Sequence, residues 1–213
     1  MSNKIEKSFV YWINGPVVKT KNTKNFKMLE MVFVGERQLL GEVIAIDENY
    51  TTIQVYETTT NLKVGEEIQG TGALLSVSLG PGLLGNIFDG IQRPLIDMKE
   101  LYGPFVQSGS KLNPLHLEKK WDCCFTVNVG DKLKGGQCFG YASESEKIKH
   151  YFLVPVAVQG IVKGIQNDGT YTSTDILCVL EDEFGNEYEL TMIQKWPIRQ
   201  ARPVRNRKFI NTP

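Results

Sequence analysis

Long apolar runs are missing from this chain of 213 residues. None approaches the roughly 20 residues a membrane-spanning helix needs, and the opening MSNKIEK lacks the apolar core of a secretion signal, so direct membrane insertion is not expected. An excess of either charge is also missing. The 24 Lys and Arg balance the 24 Asp and Glu, so no overall field favours nucleic acid or an anionic membrane, and no nucleic-acid partner is expected. Histidine is scarce: His116 and His150 lack the spacing of a metal pair, and a lone His is more often a structural hydrogen-bonder than a base. The four cysteines, Cys123, Cys124, Cys138 and Cys178, fit neither a disulfide framework nor spaced zinc pairs; reduced thiols in a cytosolic protein are the simplest reading. A nucleophile elbow, G-x-S-x-G, is absent, and carboxylates such as Asp89, Glu100, Glu118, Asp175 and Glu181 are scattered through turns and strand ends. Asn49-Tyr50-Thr51 is a formal glycosylation sequon, which carries little weight without a secretion signal.

What the chain does have is short β-segments cut by turns. From Phe9 to Leu79, Leu29, Met31 and Phe33 alternate with Met28, Glu30 and Val32. Ile53 and Val55 alternate with Gln54 and Tyr56, and Leu75, Val77 and Leu79 with Ser76 and Ser78. Period-two alternation puts one set of each segment inside. Turn signals at Asn14-Gly15-Pro16, Gly35-Glu36, Asp47-Glu48-Asn49 and Lys63-Val64-Gly65-Glu66 space the segments as a small closed sheet would, which predicts a six-stranded type of β-barrel over 1–79. An oligonucleotide-binding barrel would want aromatics interleaved with Lys and Arg on one face. Lys19, Lys21, Lys24 and Lys27 cluster in a polar stretch with only Phe26 among them, which reads as a solvated loop.

Residues 80–109 read as a connector. Gly80, Gly82 and Gly85 match G-x-G-x-x-G, the spacing of a dinucleotide site, but that chemistry needs a preceding parallel strand and a long following helix. Pro81 removes one N–H from such a cradle, and Gly90 with Pro94 stops the next helix early. The glycines set a path between modules. A short apolar helical phrase is expected at Leu83, Leu84, Ile87 and Phe88, under-buried, followed by a short amphipathic piece from Leu95.

A second β-rich module follows at 110–192, with two similar halves joined at a hairpin. This is the pattern of a lipoyl-like or biotinyl-like barrel, whose carrier versions display one lysine at the hairpin tip. Glu144-Ser145-Glu146-Lys147-Ile148 lies at about that place, which makes Lys147 the candidate residue of an alternative carrier function; Glu146 in place of Asp and the second lysine, Lys149, stand against it. From 193 to 213 the chain returns through Gln194-Lys195-Trp196-Pro197 into a basic, Pro-containing tail expected to be loosely held.

As a string, GPGLLGNIFDGIQRPL (Gly80–Leu95) closely resembles the catalytic A subunits of V-type and A-type rotary ATPases. Gly15-Pro16-Val17-Val18, Leu40-Gly41-Glu42-Val43-Ile44 and Ile53-Gln54-Val55-Tyr56-Glu57 look like strands of that family's N-terminal barrel. His150, Val154, Pro155, Gly160 and Val162 match phrases of its lipoyl-like insertion, the bulge. Thr191-Met192-Ile193-Gln194-Lys195-Trp196-Pro197 is similar to its return segment, with Ile193 where Met is usual. The resemblance covers essentially the whole chain.

It implies the N-terminal part of a protein that, at full length, couples ATP hydrolysis or synthesis to H⁺ or Na⁺ transport. The barrel would meet B subunits in a hexamer crown, and the bulge would offer contacts to peripheral stalk or regulatory subunits, in the cytoplasm and peripheral to a membrane. Mg-ATP is implied for the full-length protein. Such a protein needs a P-loop, G-x-x-x-x-G-K-[ST], and none occurs here: Gly135-Gly136-Gln137-Cys138-Phe139-Gly140 runs on to Tyr141-Ala142 with no Lys-Ser/Thr pair. The expectation is therefore an inactive N-terminal fragment with no catalytic residue, no cofactor and no metal of its own.

Overall fold

A computed structural model describes residues 7–21, 25–104 and 108–203. It divides into two compact units, one containing the chain up to Val77 and again from Trp196, the other Ser78–Lys195. In the first unit, β1 (Ser8–Asn14), β2 (Val17–Lys21), β3 (Glu30–Val34), β4 (Leu39–Ile46), β5 (Tyr50–Val55) and β6 (Glu67–Leu74) close into the expected six-stranded barrel. Their order around it is β1-β2-β5-β4-β3-β6, with antiparallel pairings. Closure uses every strand edge, so the barrel offers no free edge for strand addition.

Alternation fills the interior with Val10, Val18, Val32, Val43, Ile53 and Ile68. On β3 the inward set is Glu30, Val32 and Val34, so a carboxylate occupies an apolar position. It is tolerated because its two oxygens accept the backbone N–H groups of Lys27 and Gly72, each at 2.8 Å.

The chain passes from the first unit to the second at β7 (Ser76–Leu79) and returns at β16 (Gln194–Pro197); these two strands pair. The connector falls within the second unit. It differs from expectation at Leu83–Phe88, which forms turns and not a helical phrase. Positive φ at Gly82 and Gly85 breaks any helix there, and Asp89 then folds the chain back by accepting the N–H groups of Ile91 and Arg93. The helix comes one step later as α1 (Leu95–Tyr102), which begins directly after Pro94 and buries Met98.

The second module, expected as a lipoyl-like barrel, is β-rich and consists of two four-stranded sheets. One sheet has the order β11-β10-β8-β13, from β8 (Lys120–Phe125), β10 (Cys138–Ser143), β11 (Lys149–Leu153) and β13 (Gly169–Thr172). The other is β15-β14-β12-β9, from β9 (Lys132–Leu133), β12 (Gly160–Ile165), β14 (Cys178–Glu181) and β15 (Glu187–Leu190). Their inner faces share one core, in which Phe139, Phe152, Val162, Leu180 and Leu190 meet. Cys123 is buried and Cys124 half-buried, as alternation on a strand requires, and burial pushes the thiols of Cys123 and Cys178 up to about 11.

Candidate assembly surface

Two β-bulges give the barrel an unusual outer wall. Between Val10 and Trp12 the register of β1 against β2 slips, so Tyr11 and Trp12 both face out beside Phe9. Between Val43 and Ala45 the same happens on β4 against β5, and Ile44, Ala45 and Ile46 are all exposed. Since β1, β2, β5 and β4 are consecutive around the barrel, these residues share one continuous stretch of wall.

The side chains on this wall are ordered against one another. Tyr11 and Tyr50 stack with ring centroids 5.4 Å apart and 21° between planes. Lys21 Nζ lies 4.5 Å from the Tyr11 ring centroid, and Lys19 Nζ sits 5.5 Å from Trp12 and 5.7 Å from Tyr50. Asp47 fixes the turn that delivers Tyr50 by accepting the N–H groups of Asn49 and Tyr50, each at 2.8 Å, and these bonds, aided by Lys19, hold its carboxyl below the usual range. Hydrogen bonding with Tyr11 raises the Tyr50 hydroxyl. An aromatic surface overlaid by two ammonium groups is suited to bind a face that is apolar at its centre and carries carboxylates.

The polar-loop reading of the lysines is thereby corrected for two of them. Lys19 and Lys21 lie on β2, their aromatic neighbours come from β1 and β5, and Phe26 is buried in the barrel core. Lys24 lies outside the described residues. Sequence spacing could not pair Lys19 with Tyr50, because strand order brings them together.

The same unit contains a charged clamp that sequence reading also missed. Glu42, 1 % exposed, receives Arg199 Nε at 2.8 Å and a second guanidinium bond from Nη2, and the Tyr56 hydroxyl donates to it at 2.6 Å. The Arg199 bonds lower the Glu42 carboxyl against the opposing push of burial, with Tyr56 helping. The return segment through Gln194–Pro197 is thus a strand followed by an anchored arginine; of the tail expected to be loosely held, residues 204–213 lie outside the described residues.

In the second unit, two of the connector glycines, Gly80 and Gly82, pack closely against side chains, Gly80 against Leu115 and Gly82 against Trp121, while Gly85 has open space around it. A Cβ on Gly82 (φ 93°) would stand 3.0 Å from the Trp121 ring, and the Gly82 N–H donates to Glu144 at 3.1 Å. Gln92 returns to Ser78, donating to its carbonyl and accepting its N–H, each at 2.7 Å. Leu84 and Ile87 project outward, 64 % and 59 % exposed. Lys147 is exposed in the turn joining β10 to β11, strands of a single sheet, while Glu144 of the same turn is tied to Gly82. Among the described residues no three His, Cys, Asp or Glu gather closely enough to hold a metal ion.

Comparison with known proteins matches residues 10–72 to the ATP synthase alpha/beta family β-barrel domain, and residues 112–199 to the ATP synthase alpha/beta subunit barrel-sandwich domain. The chain is similar to the V-type ATP synthase alpha chain 2 of Clostridium tetani, 45 % identical over 201 residues that cover 94 % of this chain and 34 % of the relative. It is 46 % identical over 207 residues to the A-type ATP synthase A subunit of Methanopyrus kandleri, covering 97 % and 35 %. With the A-type ATP synthase A subunit of Thermofilum pendens it shares 44 % over 201 residues, 94 % and 33 %. The chain therefore spans about a third of the length of these curated relatives. The match over 112–199 encloses Lys147 in an ATP synthase domain, and the carrier alternative has no support.

Proposed function

Because this chain belongs to the ATP synthase alpha/beta family and corresponds to an N-terminal portion of the A subunit of the V- and A-type enzymes, we propose that it is the part of that protein that joins neighbouring subunits into a ring. The observation that carries this reading is the aromatic and lysine wall over β1, β2, β5 and β4 of a barrel that offers no free edge. In the complete protein the neighbour on that wall is a B subunit. Mg-ATP binding and its coupling to H⁺ or Na⁺ movement belong to the two thirds of the relatives' length that this chain does not match. The assembled enzyme works in the cytoplasm, peripheral to a membrane. The connector and the sandwich supply further assembly surfaces.

A photo-crosslinking residue at Tyr11 or Ile46 of the complete protein tests this in the assembled enzyme. The expected product is a crosslink to the B subunit from both positions, and none from Gln69 on the outer wall of β6. A crosslink from Gln69 alone, or none from Tyr11 and Ile46, refutes the assignment of the surface.

A further inference from the structure

We propose that the outer face of the sheet β15-β14-β12-β9 docks a basic amphipathic segment of a partner protein. The surface belongs to the second unit, and the proposal rests on the reading of the sandwich as an assembly surface, to which it adds the chemistry of the partner.

Its anchor is Phe184, the most exposed large apolar side chain described, at 81 %. The backbone of Phe184 is fixed by the turn between β14 and β15. Asp182 Oδ1 accepts the N–H groups of Phe184 (2.9 Å) and Asn186 (2.8 Å), while Oδ2 accepts the Asn186 side-chain amide (2.9 Å) and the Tyr188 hydroxyl (3.1 Å). A turn fixed by four bonds to one carboxylate loses little freedom when a partner covers it, which favours binding. Beside it, at the end of the sheet, lies an open groove of about 250 Å³, lined half by Phe184, Ile161, Ala157, Gly160 and Tyr188 and half by polar and charged side chains. That volume suits one or two apolar side chains.

The charges around the groove select the partner. Strand alternation turns Glu181, Glu187 and Glu189 outward on β14 and β15, and Glu183 stands exposed in the turn. Counting Asp182, five carboxylates face two ammonium groups, Lys132 and Lys163. Lys163 is already engaged, lying 2.6 Å from Glu181 and also bound to Glu187. The net negative face repels nucleic acid and anionic lipid, and it complements a segment that carries Lys or Arg around an apolar stripe.

The test is an amide NMR titration of the whole chain with an amphipathic Leu/Lys peptide and with its Leu/Glu counterpart. The Leu/Lys peptide is expected to shift the signals of Ile161, Phe184 and Glu187 saturably, and the Leu/Glu peptide to leave them in place. Phe184→Ala, and separately Glu187→Lys with Glu189→Lys, should each weaken binding about tenfold, as loss of an anchor does. Val129→Ala, which removes another exposed apolar side chain of the same unit, should not. The amide spectra report whether each variant folds. Equal response to both peptides, unchanged affinity in Phe184→Ala, or shifts centred on Tyr11 and Trp12 would overturn the proposal. Shifts that follow chain concentration without peptide would overturn it as well, because the occupant would then be a second copy. The crosslinks from Tyr11 and Ile46 are independent of all these results, so the two proposals fail separately.

Discussion

Glu42 shows how a buried carboxylate is made tolerable by a partner distant in sequence, since Arg199 lies 157 residues away. Because its folded pKa is depressed below the ordinary 4.5, the stability it contributes is complete above pH 4.5 and is lost as the pH falls below that value. Arg199→Met reverses the dependence. Burial then outweighs the Tyr56 bond, the folded pKa rises above 4.5, and stability declines as the pH rises from there. Denaturant midpoints measured between pH 3 and pH 7 distinguish the two slopes. Glu42→Gln, which keeps shape but not charge, is expected to cost about 1–3 kcal/mol at neutral pH. A variant as stable as the parent would remove the clamp from the account.

At the scale of elements, the connector relies on one backbone conformation. Gly82 combines φ of 93° with contact against the Trp121 ring, so Gly82→Ala is expected to destabilise the second unit by about 1–3 kcal/mol, read by thermal melting. Part of the element order was legible in the sequence because period-two alternation holds along β2, β3 and β5: Ile53 and Val55 face inward as their spacing implies, and on β8 Cys123 and Cys124 divide between faces. The bulges at Tyr11 and Ile44 were not legible, because a two-against-one register is set by the partner strand and leaves no mark on a single segment. For the same reason the aromatic wall escaped sequence reading: Tyr11, Lys19 and Tyr50 meet only through strand order. The misplaced helical phrase at Leu83–Phe88 has a different cause. Its apolar spacing suits a helix, and the positive φ of Gly82 and Gly85 prevents one.

At the scale of the whole molecule, the chain combines a barrel with no free edge, a connector that exposes Leu84 and Ile87, and a sandwich with an acidic outer face. None of the 213 residues forms a G-x-x-x-x-G-K-[ST] phrase, so isothermal titration of the chain with Mg-ATP is expected to show no saturable binding at micromolar concentrations. Saturation there would place nucleotide chemistry in this portion and contradict the division of labour proposed. The central claim, that the wall of β1, β2, β5 and β4 joins neighbouring subunits, is tested most directly by native mass spectrometry of rings formed from complete A and B subunits. Tyr11→Ala with Trp12→Ala and Lys19→Glu, made together in the complete protein, is predicted to leave the barrel folded, as judged by circular dichroism, and to shift the distribution from hexamers to free subunits. An undiminished hexamer population in that variant would contradict the account.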